Sequence, residues 1–226
     1  LKFQDEKLRN IRSRRVQCDE IWSYVYAKQK NVPKDLKGQF GVGDVWTWTA
    51  LDADTKLMIS WAIGPRDSDT AYRFMQDLAD RLANRVQLTT DGHKVYLDAV
   101  EGAFGSQIDY AMLVKVCGAT QEETRYSPAE CLGTKRETIM GKPDRKHIST
   151  SFVERQNLTM RMNMRRFTRL TNAFSKKLEN HVAAISLHYM YYNFVRIHQT
   201  LRVTPAMEAG IALSPMEIRD IVLLTE

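Results

Sequence analysis

Three acidic residues have the types and settings for phosphodiester chemistry. Asp19 lies in the β-leaning run Val16-Gln17-Cys18-Asp19-Glu20-Ile21-Trp22. Asp91 closes a second such run, Val86-Gln87-Leu88-Thr89-Thr90-Asp91, and precedes Gly92. Glu154 lies in Ser151-Phe152-Val153-Glu154-Arg155-Gln156-Asn157, at the head of a long basic helix. Carboxylates are hard oxygen ligands, and Mg²⁺ takes few of them because it keeps waters and substrate oxygens in its shell. Two such ions roughly 3.5–4 Å apart would clamp a scissile phosphate, one activating water or a 3′-hydroxyl and the other stabilising the leaving oxygen. Asp19, Asp91 and Glu154 are therefore the candidate catalytic and metal-binding residues. Glu20 competes for the first position, and Asp52, Asp98 and Asp109 for the second. Taken singly, each acid also has an ordinary explanation. Asp91-Gly92 is a common turn pair, Glu154 suits the positive end of a helix dipole, and Asp19 with Glu20 suits an edge strand.

Basic residues surround the third acid. Between positions 135 and 202 there are fourteen Lys or Arg against four Asp or Glu, out of a net charge of +6 for the whole chain. Such a concentration is the footprint of a protein that meets a polyanion. Asn157, Arg161 and Arg165 lie three, seven and eleven positions after Glu154, near one helical face. Asn157, Arg161, Arg165, Arg166 and Arg169 are the candidate DNA-binding residues. Contacts of this kind position a strand without reading its sequence.

The elements that must position these groups follow from periodicity. Alternating apolar runs predict strands over 16–29, 44–52 and 56–63, joined as an antiparallel meander. A helix over 68–84 is expected to be capped by Ser68, with Tyr72, Phe74, Met75, Leu78 and Leu82 as its apolar stripe. A strand over 86–90, a helix over 95–104 and a strand over 109–116 come next. Segment 118–150 is polar and carries Pro128, Gly133, Gly141 and Pro143, so it is expected as an irregular insertion, with room for one short edge strand. Helices are expected from 149–151 onward, over 172–196, and at Thr204-Pro205. Neighbouring first and fourth strands would point Asp19 and Asp91 into one crevice, with Glu154 brought alongside by its helix. The fold class is α/β, a mixed five-stranded sheet with flanking helices and a C-terminal helical extension. The expected organisation is a basic lead-in or linker at 1–15, a catalytic domain at 16–171 including the insertion, and a C-terminal helical part of the same domain at 172–226.

Composition bounds the setting. Cys18, Cys117 and Cys131 are few and widely spaced, which suits a reducing compartment, with Cys18 as a buried filler. No apolar run approaches the ~18 residues of a membrane span. The charged opening stretch does not read as a signal peptide, and a first residue of Leu suggests a chain that starts within a longer reading frame.

Four segments together resemble the insertion-sequence-1 transposase family: Cys18-Asp19-Glu20-Ile21-Trp22, Thr90-Asp91-Gly92, Phe152-Val153-Glu154-Arg155-Gln156-Asn157 and Tyr192-Asn193-Phe194-Val195-Arg196-Ile197-His198. That family belongs to the DDE transposase and retroviral integrase group. The resemblance spans 16–212. It implies a ribonuclease-H-like catalytic domain and Asp19, Asp91 and Glu154 as a triad holding two Mg²⁺ or Mn²⁺ ions. Arg161 then matches the basic residue beyond the glutamate. It also implies strand cleavage and strand transfer on double-stranded DNA, at element ends and at a target. A homodimer or higher oligomer is implied too, in a bacterial, nucleoid-associated cytoplasmic setting. Family members usually carry an N-terminal zinc-binding or helix-turn-helix region, so recognition of element ends is expected outside this chain. The alternatives are a domesticated DNA-binding protein that keeps the fold, or a ribonuclease-H-like nuclease. Asn193, Arg196 and His198 are expected to serve packing and capping.

Overall fold

The computed structural model of the chain describes residues 2–118, 131–168 and 172–224. The basic lead-in is packed rather than a free linker. Lys2–Lys7 forms a short helix, α1. Beyond it Leu8 and Ile11 are buried in the core. Gln4 Nε2 donates to the carbonyl of Ser186 at 2.9 Å, tying the lead-in to a distant helix.

The strands are β1 (Arg15–Val25), β2 (Gly43–Asp52) and β3 (Met58–Gly64), and the helix α2 (Ser68–Arg81) comes after them. Next come β4 (Gln87–Asp91), α3 (Val95–Phe104), β5 (Asp109–Cys117) and β6 (Cys131–Met140). The chain continues through α4 (Ser151–Asn163), α5 (Leu178–Met190), α6 (Pro205–Glu208) and α7 (Ile218–Leu223). The sheet has six strands in the order β3-β2-β1-β4-β5-β6, so the expectation of five is corrected. β1, β4 and β5 run parallel, while β2, β3 and β6 are antiparallel to their neighbours. The added strand, β6, lies inside the segment expected to be irregular. Its described side chains are mostly exposed and polar, so backbone pairing to β5 holds it and no apolar alternation announces it.

Helices cover both faces of the sheet, because successive strand side chains point to opposite sides. Val16, Cys18, Trp48 and Ala50 pack with Phe74, Leu78, Tyr96 and Val100 of α2 and α3. Ile21, Leu51 and Met58 pack with Val153 and Met160 of α4 and with Ile185 and Tyr189 of α5. Cys18 is wholly buried, as its neighbours require. The layers are α/β/α. No described helix is long and apolar enough to cross a membrane.

Three boundaries differ from expectation for local reasons. β1 stops at Val25 because Tyr26 takes φ 68°, outside the extended region. α2 is capped by Asp67 rather than Ser68: the Asp67 carboxylate accepts from the Thr70 N–H at 2.9 Å. Replacing Asp67 with Ala removes that acceptor and is expected to cost about 1 kcal/mol of stability, read as a lower urea midpoint with an unchanged slope. α5 begins at Leu178, not near 172, because Ser175 bridges to Val25 as an extended segment, with its carbonyl accepting from Tyr26 N–H at 2.7 Å. Leu187 and Tyr191 are exposed. The α5 start also seats His181, which is wholly buried, with Nε2 3.0 Å from Ser23 Oγ and Nδ1 2.9 Å from Ser175 Oγ.

Candidate metal centre and nucleic-acid interface

The sheet opens a crevice where β4 ends. β1 pairs with β4 only over Arg15–Gln17 against Gln87–Thr89, and then continues past Asp91 paired with β2 on its other side. Crevices of this kind, at the carboxyl ends of parallel strands, are where open α/β sheets place ligands. Asp19 and Asp91 both reach into it, as the sequence predicted. Together with Glu20 they form the tightest acidic group among the described residues, with one carboxylate oxygen of each within 4.8 Å of the others.

Each carboxylate is held differently. Asp19 faces α4, and its Oδ2 accepts from Asn157 Nδ2 at 2.9 Å. Thr49 Oγ1 donates to the Asp19 carbonyl at 2.9 Å and lies 3.4 Å from Asn157 Oδ1, which sets the amide's orientation. Asp91 Oδ1 accepts from the His93 N–H at 3.0 Å, a local turn that fixes the strand end. Glu20 points to the other face, beside the wholly buried Tyr96. Its side chain is 1% exposed and its Oε1 has no hydrogen-bond partner. Burial and the Asp91 charge push the Asp19 carboxyl up to about 6 and the Glu20 carboxyl up to about 7. Burial and the neighbouring carboxylate charges disfavour the ionised forms, and a divalent cation would relieve that repulsion, so the donor set fits a hard cation.

Glu154 shares the pocket but stands outside that tight group. It sits in the first turn of α4, where Thr150 Oγ1 donates to its Oε1 at 2.6 Å and Lys115 Nζ of β5 lies 2.8 Å away. The cavity, about 650 Å³, is lined by Asp19, Asp91, Glu154, Arg66, Asn157 and Arg161, with His93 and Lys115 on its wall. The third acid of the expected triad is thus present on the wall, paired with a lysine.

The rival acids have other work. Asp52 caps its own turn by accepting from the Asp54 and Thr55 N–H groups, Asp109 is clamped by Arg85, and Asp98 is exposed on α3.

The basic run divides. Arg161 lines the cavity, and Asn157, expected on DNA, is buried and bonded to Asp19. α4 ends at Asn163, so Arg165 leaves the helical face it was expected to share and lies exposed in a following turn. Arg166 Nη1 donates to Ser175 Oγ at 2.9 Å and to the Asn180 carbonyl at 3.0 Å, a structural role. Arg169 lies outside the described residues.

Sequence reasoning missed Arg66 and Lys115. Arg66 occupies the turn between β3 and α2, with Nη2 3.0 Å from Glu20 Oε2 and 3.4 Å from Asp91 Oδ2. Nothing in Gly64-Pro65-Arg66-Asp67 marks it, because the turn meets Asp91 only after β1 and β4 are placed side by side. Lys115 stands on β5 near Glu154, an alternation signal that was available but pointed equally to solvent. No protein-family model matches the chain, and no curated protein matches it.

Proposed function

We propose that the chain is a ribonuclease-H-like DDE transposase catalytic domain, which cuts and joins double-stranded DNA with Mg²⁺ or Mn²⁺. The observation that carries this is one cavity that gathers Asp19, Asp91 and Glu154 under Arg66, Lys115 and Arg161. The strand order β3-β2-β1-β4-β5, with an antiparallel meander followed by parallel β4 and β5, supports the ribonuclease-H-like reading. So do the motifs that resemble the insertion-sequence-1 family.

In this reading Asp19, Asp91 and Glu154 would hold two ions. Bound there, the ions would activate water or a 3′-hydroxyl and stabilise the leaving oxygen. The chain's own residues supply the rest. Asn157 and the His93 N–H hold the Asp19 and Asp91 carboxylates in place, so that little reorganisation is needed on binding. Thr150 does the same for Glu154. Lys115 neutralises Glu154 and lies where it can turn to a phosphate oxygen. Arg161 supplies a further donor on the wall for the DNA backbone. The reading extends to a dimer or larger assembly that handles two element ends together, and to a bacterial, nucleoid-associated cytoplasmic location.

The test incubates the full chain with supercoiled plasmid and with duplex oligonucleotides carrying a free 3′-hydroxyl, in Mn²⁺ or in EDTA. Nicked and joined products in Mn²⁺ alone are expected. DNA binding with no products in either condition would replace the enzyme reading with a DNA-binding module. Preferential cutting of RNA–DNA hybrids would replace it with a ribonuclease H.

A further inference from the structure

We propose that Arg66 is a phosphate-contacting residue of the cavity and that Glu20 is its anchor, a positioning residue rather than a metal ligand. This rests on the nucleic-acid reading of the same site. Glu20 belongs to the tight acidic group, yet it is not on the cavity wall, and its side chain is 1% exposed. Arg66 is on the wall and its side chain is 36% exposed. Arg66 Nε and Nη2 lie 3.1 and 3.0 Å from the same oxygen, Glu20 Oε2, while Asp91 Oδ2 is farther, at 3.4 Å. The guanidinium also lies over the Trp46 ring, 4.9 Å from its centroid, which favours its flat orientation.

The contacts describe an arm. A buried carboxylate is costly without a countercharge, and Arg66 is the cation that faces Glu20 among the described residues. The Tyr96 hydroxyl also faces this carboxylate but carries no charge, so no other cation compensates Glu20 among the described residues if Arg66 leaves. Glu20 therefore keeps the arginine at the pocket rim. The contact to Asp91 is the weaker one and the one that competes with a cation. When a cation shares Asp91, the guanidinium keeps Glu20 and Trp46 and gives up Asp91. Five N–H donors in a fixed fork leave Arg66 able to meet a phosphate oxygen without breaking its anchor.

Two titrations on the full chain separate this from a ligand role for Glu20. One tracks Mn²⁺ binding by electron paramagnetic resonance, and the other tracks duplex binding as a function of salt. Arg66→Ala removes a positive charge beside Asp91, so Mn²⁺ should bind about 3- to 10-fold more tightly. The same change should weaken duplex binding and lower the slope of log K against log salt by about 1. Arg66→Lys should restore the slope but not the full affinity, because an ammonium lacks the fork. Glu20→Gln should leave Mn²⁺ affinity within about 3-fold and weaken duplex binding, since the arm loses its anchor. A loss of Mn²⁺ affinity of about 10-fold or more in Glu20→Gln would make Glu20 a ligand and overturn the proposal. So would an unchanged salt slope in Arg66→Ala. If Glu20→Gln or Arg66→Ala does not fold, Arg66→Lys, which keeps a cation beside Glu20, decides the matter: duplex affinity equal to wild type would overturn the proposal. Wild-type chain that binds neither Mn²⁺ nor duplex would instead overturn the function proposed for the site, and this inference with it.

Discussion

Replacing Asp19 with Asn should make the metal-free protein more stable at pH 7.5 and abolish its metal response. The Asp19 carboxyl is pushed up to about 6 in the folded chain, first by burial and then by the Asp91 charge, against an ordinary value of 3.8. A folded-state pKa above the unfolded one means the proton is held more tightly when folded. The associated stability is complete below the unfolded value and is lost as pH rises through about 6. At pH 7.5 the ionised carboxylate therefore costs stability, on the order of 1–3 kcal/mol. Asn removes the charge and can still accept from Asn157. For a chain of this size the gain is a rise in midpoint of roughly 3–8 °C. In the wild type, Mn²⁺ at about 100 times its dissociation constant should add about 2.7 kcal/mol by mass action, and the variant should show almost none of it. On the proposed function, strand cleavage should fall by about 10³-fold or more, because a carboxylate that would orient the metals is gone. Thermal melts with EDTA and with Mn²⁺ read all three stability terms. An Asp19→Asn protein that melts below wild type in EDTA, or that keeps the Mn²⁺ shift, would sink the idea that this carboxylate is a destabilising ligand waiting for a cation.

Glu20, pushed up to about 7, acts in the same direction. His181 and His188 act in the opposite one. Burial pulls both down to about 4, so each contributes stability above the ordinary value of 6.5 that is lost as pH falls through about 4. On these four groups the metal-free protein should be most stable near about pH 6.5, where the rise from the histidines gives way to the loss from Glu20. Added Mn²⁺ should move the maximum upward, because it replaces protons on the carboxylates.

The parts of this site legible in the sequence are those that local chemistry marks. Asp19 and Asp91 stand out because each interrupts an apolar β run, and the parallel pairing of those runs brings both to one crevice. Glu154 stands out as an acid at a helix start in a basic stretch, and it does line the cavity. Its pairing with Lys115 was hidden, since it depends on how α4 lies across β5. Glu20 was legible only as a rival to Asp19. Alternation sends neighbours on a strand to opposite faces, but Asp91 sits at a strand end, in the plane between the faces, where both can reach it. β6 was legible only as room for a short edge strand in the insertion, and its bounds were not, because an exposed edge strand is held by backbone bonds to β5. Asn157 was read by its spacing from Glu154, which placed it on the right face. Whether that face meets DNA or a carboxylate is a matter of depth, and periodicity carries no depth. The same distinction applies to Asn193, where packing was expected and a buried amide is found.

Asn193→Ala should be strongly destabilising although it lies outside the site, at about 2–5 kcal/mol, since it strands two buried backbone groups. Asn193 is wholly buried in a single π-helical turn, Tyr191–Val195, that extends α5. Its Oδ1 accepts from the Met58 N–H at 3.0 Å and its Nδ2 donates to the Met58 carbonyl at 2.9 Å. Met58 opens β3, an outer strand of the sheet, and is itself wholly buried. One side-chain amide thus does the work of a neighbouring strand for one residue, satisfying a donor and an acceptor that water cannot reach. The π turn supplies the register: it places Asn193 over Met58 while the Tyr192 hydroxyl donates to the Lys56 carbonyl at 2.9 Å. Removing the amide also loosens the C-terminal segment beyond the turn, because the Phe194 carbonyl accepts from the Met216 N–H at 2.8 Å and Phe194 packs in the core with Ala206. Hydrogen exchange should quicken at the Met58 amide and across 191–212, with β4 and β5 unchanged. Asn193→Asp keeps the shape but loses the donor and buries a charge, so it should destabilise at least as much. Mn²⁺ binding at Asp19 and Asp91 should persist in both variants at temperatures where they remain folded. An Asn193→Ala protein within about 0.5 kcal/mol of wild type, the range of ordinary surface changes, would show that the strand edge finds another partner.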